Sequence, residues 1–201
     1  MNSVKRGTLA VISGFSGAGK GTVTRRLLEK YADECCLSVS VTTRQPREGE
    51  VDGIHYFFRT KEQFEQMIDQ DRFLEYACYV DNYYGTPRSF VEEKLKAGIH
   101  VILEIEIQGA LQVKARYPES VLIFVTPPSA EELERRRSRL GKACEESEDI
   151  CKYDYIVVND TVEACVDHIH SIICSASDKV VNNGEFIREI AEELRVFKKG
   201  E

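Results

Sequence analysis

The chain has no tryptophan, two methionines, five prolines and no apolar run long enough to cross a bilayer. Its longest run, Val121-Leu122-Ile123-Phe124-Val125, has the length of a buried strand, whereas a membrane helix needs about 20 apolar residues. No secretory core precedes it. Met1 to Gly7 is polar and basic, and Thr8 to Ile12 reads as a strand, so a cytoplasmic chain with no membrane partner is expected. An excess of positive charge is missing too. The formal net charge of −7 argues against a nucleic-acid partner, which needs a basic face. Small anions remain open, because basic clusters occur at Arg44 with Arg47 and at Arg135, Arg136, Arg137 and Arg139. The second cluster also fits a solvated helix face. None of the seven cysteines, Cys35, Cys36, Cys78, Cys144, Cys151, Cys165 and Cys174, forms a C-x-x-C pair. The odd number and irregular spacing point to reduced, mostly buried thiols and away from a zinc or disulfide framework.

What is present suits one compact domain: 201 residues, 42% of them hydrophobic and 30% charged. Apolar strands are expected at Thr8–Ser13, Ile99–Glu104, Ser120–Val125 and Tyr155–Val158. Helical spacing covers Gly19–Tyr31, about Ile107–Arg116, Thr161–Ser177 and Gly184–Lys198, with another helix after the N-cap Ser129. That alternation implies an α/β fold with a parallel sheet covered on both faces. The stretch from about 37 to 96 breaks the rhythm. It has β-like segments at Leu37–Val41, Ile54–Phe58 and Phe73–Val80, a loop at Thr43–Gly53, a turn-rich patch at Asn82–Pro87, and helices at Lys61–Asp71 and Arg88–Ala97. It reads as a small inserted subdomain.

Gly14-Phe15-Ser16-Gly17-Ala18-Gly19-Lys20-Gly21-Thr22 fits G-x-x-x-x-G-K between a strand and a helix. Glycines there let backbone N–H groups converge on phosphate oxygens, and the lysine supplies a flexible positive charge. The hydroxyl that normally follows the lysine is displaced one place, to Thr22. A G-K-G-T ending is shared with nucleoside monophosphate kinases.

The stretch Ser40-Val41-Thr42-Thr43-Arg44-Gln45-Pro46-Arg47-Glu48-Gly49-Glu50-Val51-Asp52-Gly53, followed by Tyr56 and Phe58, meets S-x-T-T-R-x-P-R-x-G-E-x-x-G and Y-x-F. On these residues the chain resembles the guanylate kinases. The likeness extends through Phe73–Tyr76, Asn82–Thr86, Leu103–Ala110 and Tyr153–Asp160, roughly residues 7 to 175. It implies a P-loop three-layer fold with a core at 7–36, 97–128 and 153–201, a GMP-binding subdomain at about 37–96, and a lid of which 129–152 is the remnant. It implies ATP and GMP as substrates, magnesium with the ATP, and a monomer or homo-oligomer. ATP would lie on Gly14 to Thr22. Ser40, Arg44, Arg47, Tyr56 and Tyr84 would hold the GMP phosphate, Glu75 would accept from guanine N1–H and N2–H, and Thr86 would donate to O6. Thr22 and Glu104 would face the metal, Glu104 through water, and Glu106, where the family usually has Asp, would share a strand face with Glu104 and belong to the GMP-binding set. Lys20, Arg44, Arg136 and Arg139 would be catalytic. The blander readings are core packing for the tyrosines, a helix cap for Glu104 and a surface salt bridge for Arg44 and Arg47.

One part of the pattern is missing. The family continues with R-L-x-x-R-G-T-E, a helix and a second R-L, yet Leu133–Arg137 runs almost at once into Ser138-Arg139-Leu140. Something over about a dozen residues are skipped, R-G-T-E among them. Either a mobile segment is omitted from these 201 residues or the chain lacks it. The first is the expectation, since a lidless kinase loses water exclusion and transition-state arginines.

Overall fold

The computed structural model describes residues 5–135 and 146–199. The first strand, β1 (Leu9–Gly14), is buried along its whole length, and its alternate side chains enter two different cores. Ala10 and Ile12 pack with Val23, Leu27, Val166, Ile169 and Ile173 on one face. Leu9 and Val11 pack with Val91, Leu95, Ala110 and Val113 on the other. A strand apolar on both sides requires helices on both sides. Helices α1 (Lys20–Lys30) and α6 (Val162–Ser177) supply the first layer, and α3 (Arg88–Lys96) and α4 (Ile107–Arg116) the second.

Between them lies a five-stranded sheet made of β1, β2 (Cys35–Leu37), β7 (His100–Glu104), β8 (Val121–Thr126) and β9 (Tyr155–Val158). Its order is β2-β7-β1-β8-β9 and every pairing is parallel. The chain reverses direction across the sheet on either side of β1, which opens a crevice beyond the strand ends, where ligands of open α/β sheets bind. Gly14 closes β1 under that crevice. A Cβ there would stand 2.1 Å from the Val125 carbonyl oxygen, and its φ is +154°. Gly14→Ala is therefore expected to cost on the order of 3 kcal/mol, read from urea unfolding, with the β1–β8 ladder forced apart.

The segment between β2 and β7 forms a second sheet, ordered β4-β3-β6-β5, from β3 (Val41–Thr42), β4 (Phe57–Phe58), β5 (Phe73–Tyr79) and β6 (Asn82–Pro87). Val41, Phe64 and Phe73 form its own small core, with Phe64 coming from α2 (Lys61–Asp69). Three sequence expectations change here. Ile54–Phe58 is a strand only at Phe57–Phe58, and Gly53–His55 form a turn. Leu37–Val41 is not one strand: β2 ends at Leu37, and Ser38–Ser40 carry the chain from one sheet to the other. Asn82–Pro87 is not a turn but a strand, antiparallel to β5 from Tyr79↔Asn82 onward. The reversal sits at Val80 and Asp81, both at positive φ (47° and 60°), as a two-residue hairpin of the primed type requires.

The end of the chain follows expectation. Thr161 caps α6 through its hydroxyl, and α7 (Gly184–Lys199) completes the described residues. Ser129 Oγ accepts from Glu132 N at the start of α5 (Ala130–Arg135). Among the described residues no helix is long and apolar enough to cross a membrane. Six described cysteines are free. Cys35 and Cys165 are buried, Cys36 and Cys174 half-buried, and Cys78 and Cys151 exposed, so fewer are buried than the sequence implies.

Candidate active site

The loop between β1 and α1 is built to leave N–H groups pointing outward. Gly17 and Gly19 sit at φ 85° and 88°, a conformation that side chains resist. A tight turn is pinned by Ala18 N donating to the Phe15 carbonyl at 3.0 Å. Ala18 is fully buried, and Phe15 packs edge-on against Phe124 with centroids 5.0 Å apart, so these two anchor the loop while Ser16, Gly17, Gly21 and Thr22 stay exposed. Gly19 caps α1 without a side-chain bond, which leaves the helix N-terminus open to an anion. Lys20 Nζ reaches back across the loop to donate to the Gly14 and Phe15 carbonyls at 2.5 and 3.1 Å.

A residue not singled out by sequence holds the loop from behind. Asn159, buried just after β9, donates through Nδ2 to the Ala18 carbonyl at 2.8 Å, while its own N–H donates to Thr126. Asn159→Ala leaves a buried carbonyl without its donor. A loss of about 1–3 kcal/mol is expected in chemical denaturation.

The loop, Lys20, Thr22, Arg25, Glu104 and Glu106 line a cleft of about 590 Å³. The shared-strand argument for the two carboxylates does not hold, because β7 stops at Glu104 and Glu106 is the N-cap residue of α4. They meet at the cleft because strand end and helix start converge there. Oε1 of Glu104 lies 3.6 Å from where a Cβ on Gly21 would stand, so the carboxylate faces the start of α1.

Glu104 also lines a neighbouring cleft of about 220 Å³, together with Ser40, His55, Tyr56 and Thr86. One side chain thus borders both clefts. Around the second, Tyr56 and Tyr84 lie edge to face at 6.2 Å, and the Arg44 guanidinium stands 5.4 Å from the Tyr56 ring centre. Arg44 does form a salt bridge, donating through Nη2 to Glu50 Oε1 at 2.8 Å. Glu50 Oε2 accepts from the Arg47 backbone N–H at 2.7 Å. These bonds, with Arg44 first, pull the Glu50 carboxyl down to about 2. Glu50 is a residue to which the sequence reading gave no role. Its signal was present, four residues into the P-R-x-G-E run, but its task of aiming Arg44 shows only in geometry. Arg47 itself is exposed.

Glu75 is buried, and its Oε1 accepts at 2.7 Å from the Oγ1 of Thr86, which lines this cleft. Burial raises its carboxyl above the usual range, offset in part by Thr86. A hydroxyl has one proton, so Thr86 as placed serves Glu75 and cannot also donate to a ligand oxygen. Gly109 in α4 gives the carboxylate room: a Cβ there would stand 3.1 Å from Glu75 Oε2. Arg136 and Arg139 lie outside the described residues.

A strand, glycine-rich loop and helix on an open parallel sheet, with lysine over the loop and carboxylates opposite, define a phosphate-loop protein of the three-layer α/β class. Comparison with known proteins narrows the class. A family model for guanylate kinase matches residues 6–176. The guanylate kinase of Caldanaerobacter subterraneus is 48% identical over 205 residues, covering 96% of this chain and 99% of the relative. That of Desulfitobacterium hafniense is 50% identical over 186 residues, 87% and 92% of the two chains. Among solved structures, guanylate kinase from Anaplasma phagocytophilum superposes with a TM-score of 0.69 at 36% identity, covering 88% of this chain and 89% of that one. The chain belongs to the guanylate kinase family.

The first of these alignments shows a gap of the same size. Its 205 positions use only 96% of a 201-residue chain, so about a dozen positions of the relative have no counterpart among these residues. The sequence pattern places that gap at Arg137–Arg139.

Proposed function

We propose that this chain transfers the γ-phosphoryl group of ATP to GMP, giving ADP and GDP, with ATP over Gly14–Thr22 and GMP in the second cleft. The observation that carries this reading is Glu104, which borders both clefts, so that a donor in one and an acceptor in the other would lie side by side. An ionised acceptor phosphate is already a nucleophile. The protein therefore has to position, neutralise and exclude water, with no covalent step of its own.

The loop N–H groups and the α1 N-terminus hold the donor phosphates. Lys20 leaves the Gly14 and Phe15 carbonyls to offset charge on the moving group. Arg44, aimed by Glu50, grips the acceptor phosphate with Ser40, Tyr56, Tyr84 and Arg47, since a guanidinium fork matches phosphate oxygens. Glu75 accepts from guanine N1–H and N2–H, and Thr86 holds that carboxylate in line. The oxygen donors of Thr22 and Glu104 suit magnesium, Glu104 through water, and the ion would neutralise donor-phosphate charge. The second sheet and its flanking segments, about 37–96, act as the GMP-binding subdomain. The net charge of −7 fits small nucleotide substrates and no nucleic-acid partner, and we place the work in the cytoplasm.

A coupled assay of ADP release with GMP, dGMP, AMP and ribose phosphates tests the reading. Turnover with GMP and dGMP but not AMP is expected. Equal rates with AMP would overturn the assignment of Glu75. The gap at Arg137–Arg139 has its own consequence. A protein made of these 201 residues alone lacks the R-G-T-E arginine and stabilises the transition state less well, so kcat at least about tenfold below that of the Caldanaerobacter subterraneus enzyme is expected side by side. The same gap favours a second reading, a module that binds both nucleotides without transfer.

A further inference from the structure

Behind the sheet, away from both clefts, lies a second group of side chains with metal-ligand chemistry. Glu34 stands in the turn between α1 and β2. His170 and Cys174 are one turn apart on α6, and that spacing puts them on one face. Glu34 Oε2 lies 3.0 Å from His170 Nε2, and Cys174 Sγ lies 3.5 Å from the same nitrogen. Single donor atoms of Glu34, His100 and Cys174 fall within 4.8 Å of one another. A tetrahedral ion with bonds of about 2.0–2.3 Å sets its ligand atoms roughly 3.3–3.8 Å apart, so the Glu34–His170 and His170–Cys174 separations are already close to those of a ligand pair.

The surroundings fix the ligands. The His170 ring stacks flat on Tyr31, with centroids 3.5 Å apart and planes 1° from parallel. Tyr31 is itself held by its hydroxyl, which donates to Asp167. His100 is different. Its Nδ1 accepts from the Thr8 N–H at 2.9 Å, so the neutral ring carries its proton on Nε2 and is a donor rather than a ligand. Lys5 lies near Cys174 and pairs with Asp178, so it leaves the cluster's negative charge only partly offset.

We propose that Glu34, His170 and Cys174 form a binding site for a zinc-class divalent cation, which braces the end of α1 against α6. One nitrogen, one sulfur and one carboxylate oxygen select zinc or cobalt over magnesium, and a fourth position is left for water. The brace continues an existing seam, where Arg26 meets Glu163 at 2.6 Å and Lys30 meets Asp167 at 2.5 Å. Cysteine spacing gave no hint of it, because Glu34 and His170 are 136 residues apart. Binding releases the Cys174 proton, which burial otherwise holds on.

The test is a cobalt titration of the full, chelator-stripped, reduced chain. One equivalent is expected to give a near-ultraviolet thiolate band and tetrahedral visible bands, displaced by zinc but not by millimolar magnesium. Cys174→Ser should abolish the thiolate band, and Cys151→Ser, at an exposed thiol elsewhere, should keep it. Glu34→Gln, at an exposed position that folding tolerates, should weaken binding by about tenfold or more. No saturable binding, a band that survives Cys174→Ser, or affinity unchanged by Glu34→Gln would overturn the site.

Discussion

Lys20→Ala is expected to lower kcat for phosphoryl transfer by about 10²–10³-fold, the scale of removing one preorganised group that stabilises transition-state charge. The position makes the effect local. Lys20 is the first residue of α1 and touches the Gly14 and Phe15 carbonyls at the open edge of the cleft. Water can replace it there, so the variant should fold and bind ATP with KM changed far less than kcat. That split marks an interaction made chiefly in the transition state. Steady-state kinetics with circular dichroism as a folding control checks it, and turnover within about threefold of the parent would remove the loop lysine from the chemistry.

Glu75→Gln is expected to cut kcat/KM for GMP by about 10³-fold while making the free protein more stable at neutral pH. The first effect follows from hydrogen-bond polarity, because an amide offers N–H where the base also offers N–H, and sites built on a specific hydrogen bond reject the mismatch strongly. The second follows from burial. Glu75 has its carboxyl raised in the folded state, so the native chain holds that proton more tightly than the unfolded one. Its contribution to stability is best below the unfolded pKa and falls as pH rises through the folded pKa. A neutral glutamine is spared that cost, so its melting temperature should exceed the parent's at pH 7 and the difference should shrink in acid. Such opposition of activity and stability is the signature of a functional buried charge, not a structural one.

How far the sequence carries the fold depends on the element. The glycine loop was legible because each residue acts through its own backbone, and the strand–loop–helix context is local. The β5–β6 hairpin was not. Asn82, Gly85 and Pro87 are turn formers by composition, but six residues of β5 offer a full antiparallel partner, and pairing overrides local preference. The true turn was hidden because Val80, a β-branched residue, occupies a positive φ. Glu106 was expected with the GMP-binding residues on the strand face of Glu104, but it caps α4 and lines the loop cleft, since strand periodicity cannot see that β7 ends two residues earlier. Residues that act on other residues were the least visible. Glu50 aims Arg44, Asn159 holds Ala18, and Thr86 holds Glu75; each role exists only through a partner brought by folding.

The gap at Arg137–Arg139 bears on mechanism more than on fold. Both clefts have linings among the described residues that do not include it, so nucleotide binding and phosphoryl transfer can be measured as separate properties of this chain. The most direct measurement is phosphorus NMR of the purified protein with ATP, magnesium and GMP. The account predicts GDP and ADP appearing in equal amounts, and no ADP when GMP is withheld. Inorganic phosphate in place of GDP, or bound nucleotides with no GDP formed, would contradict it.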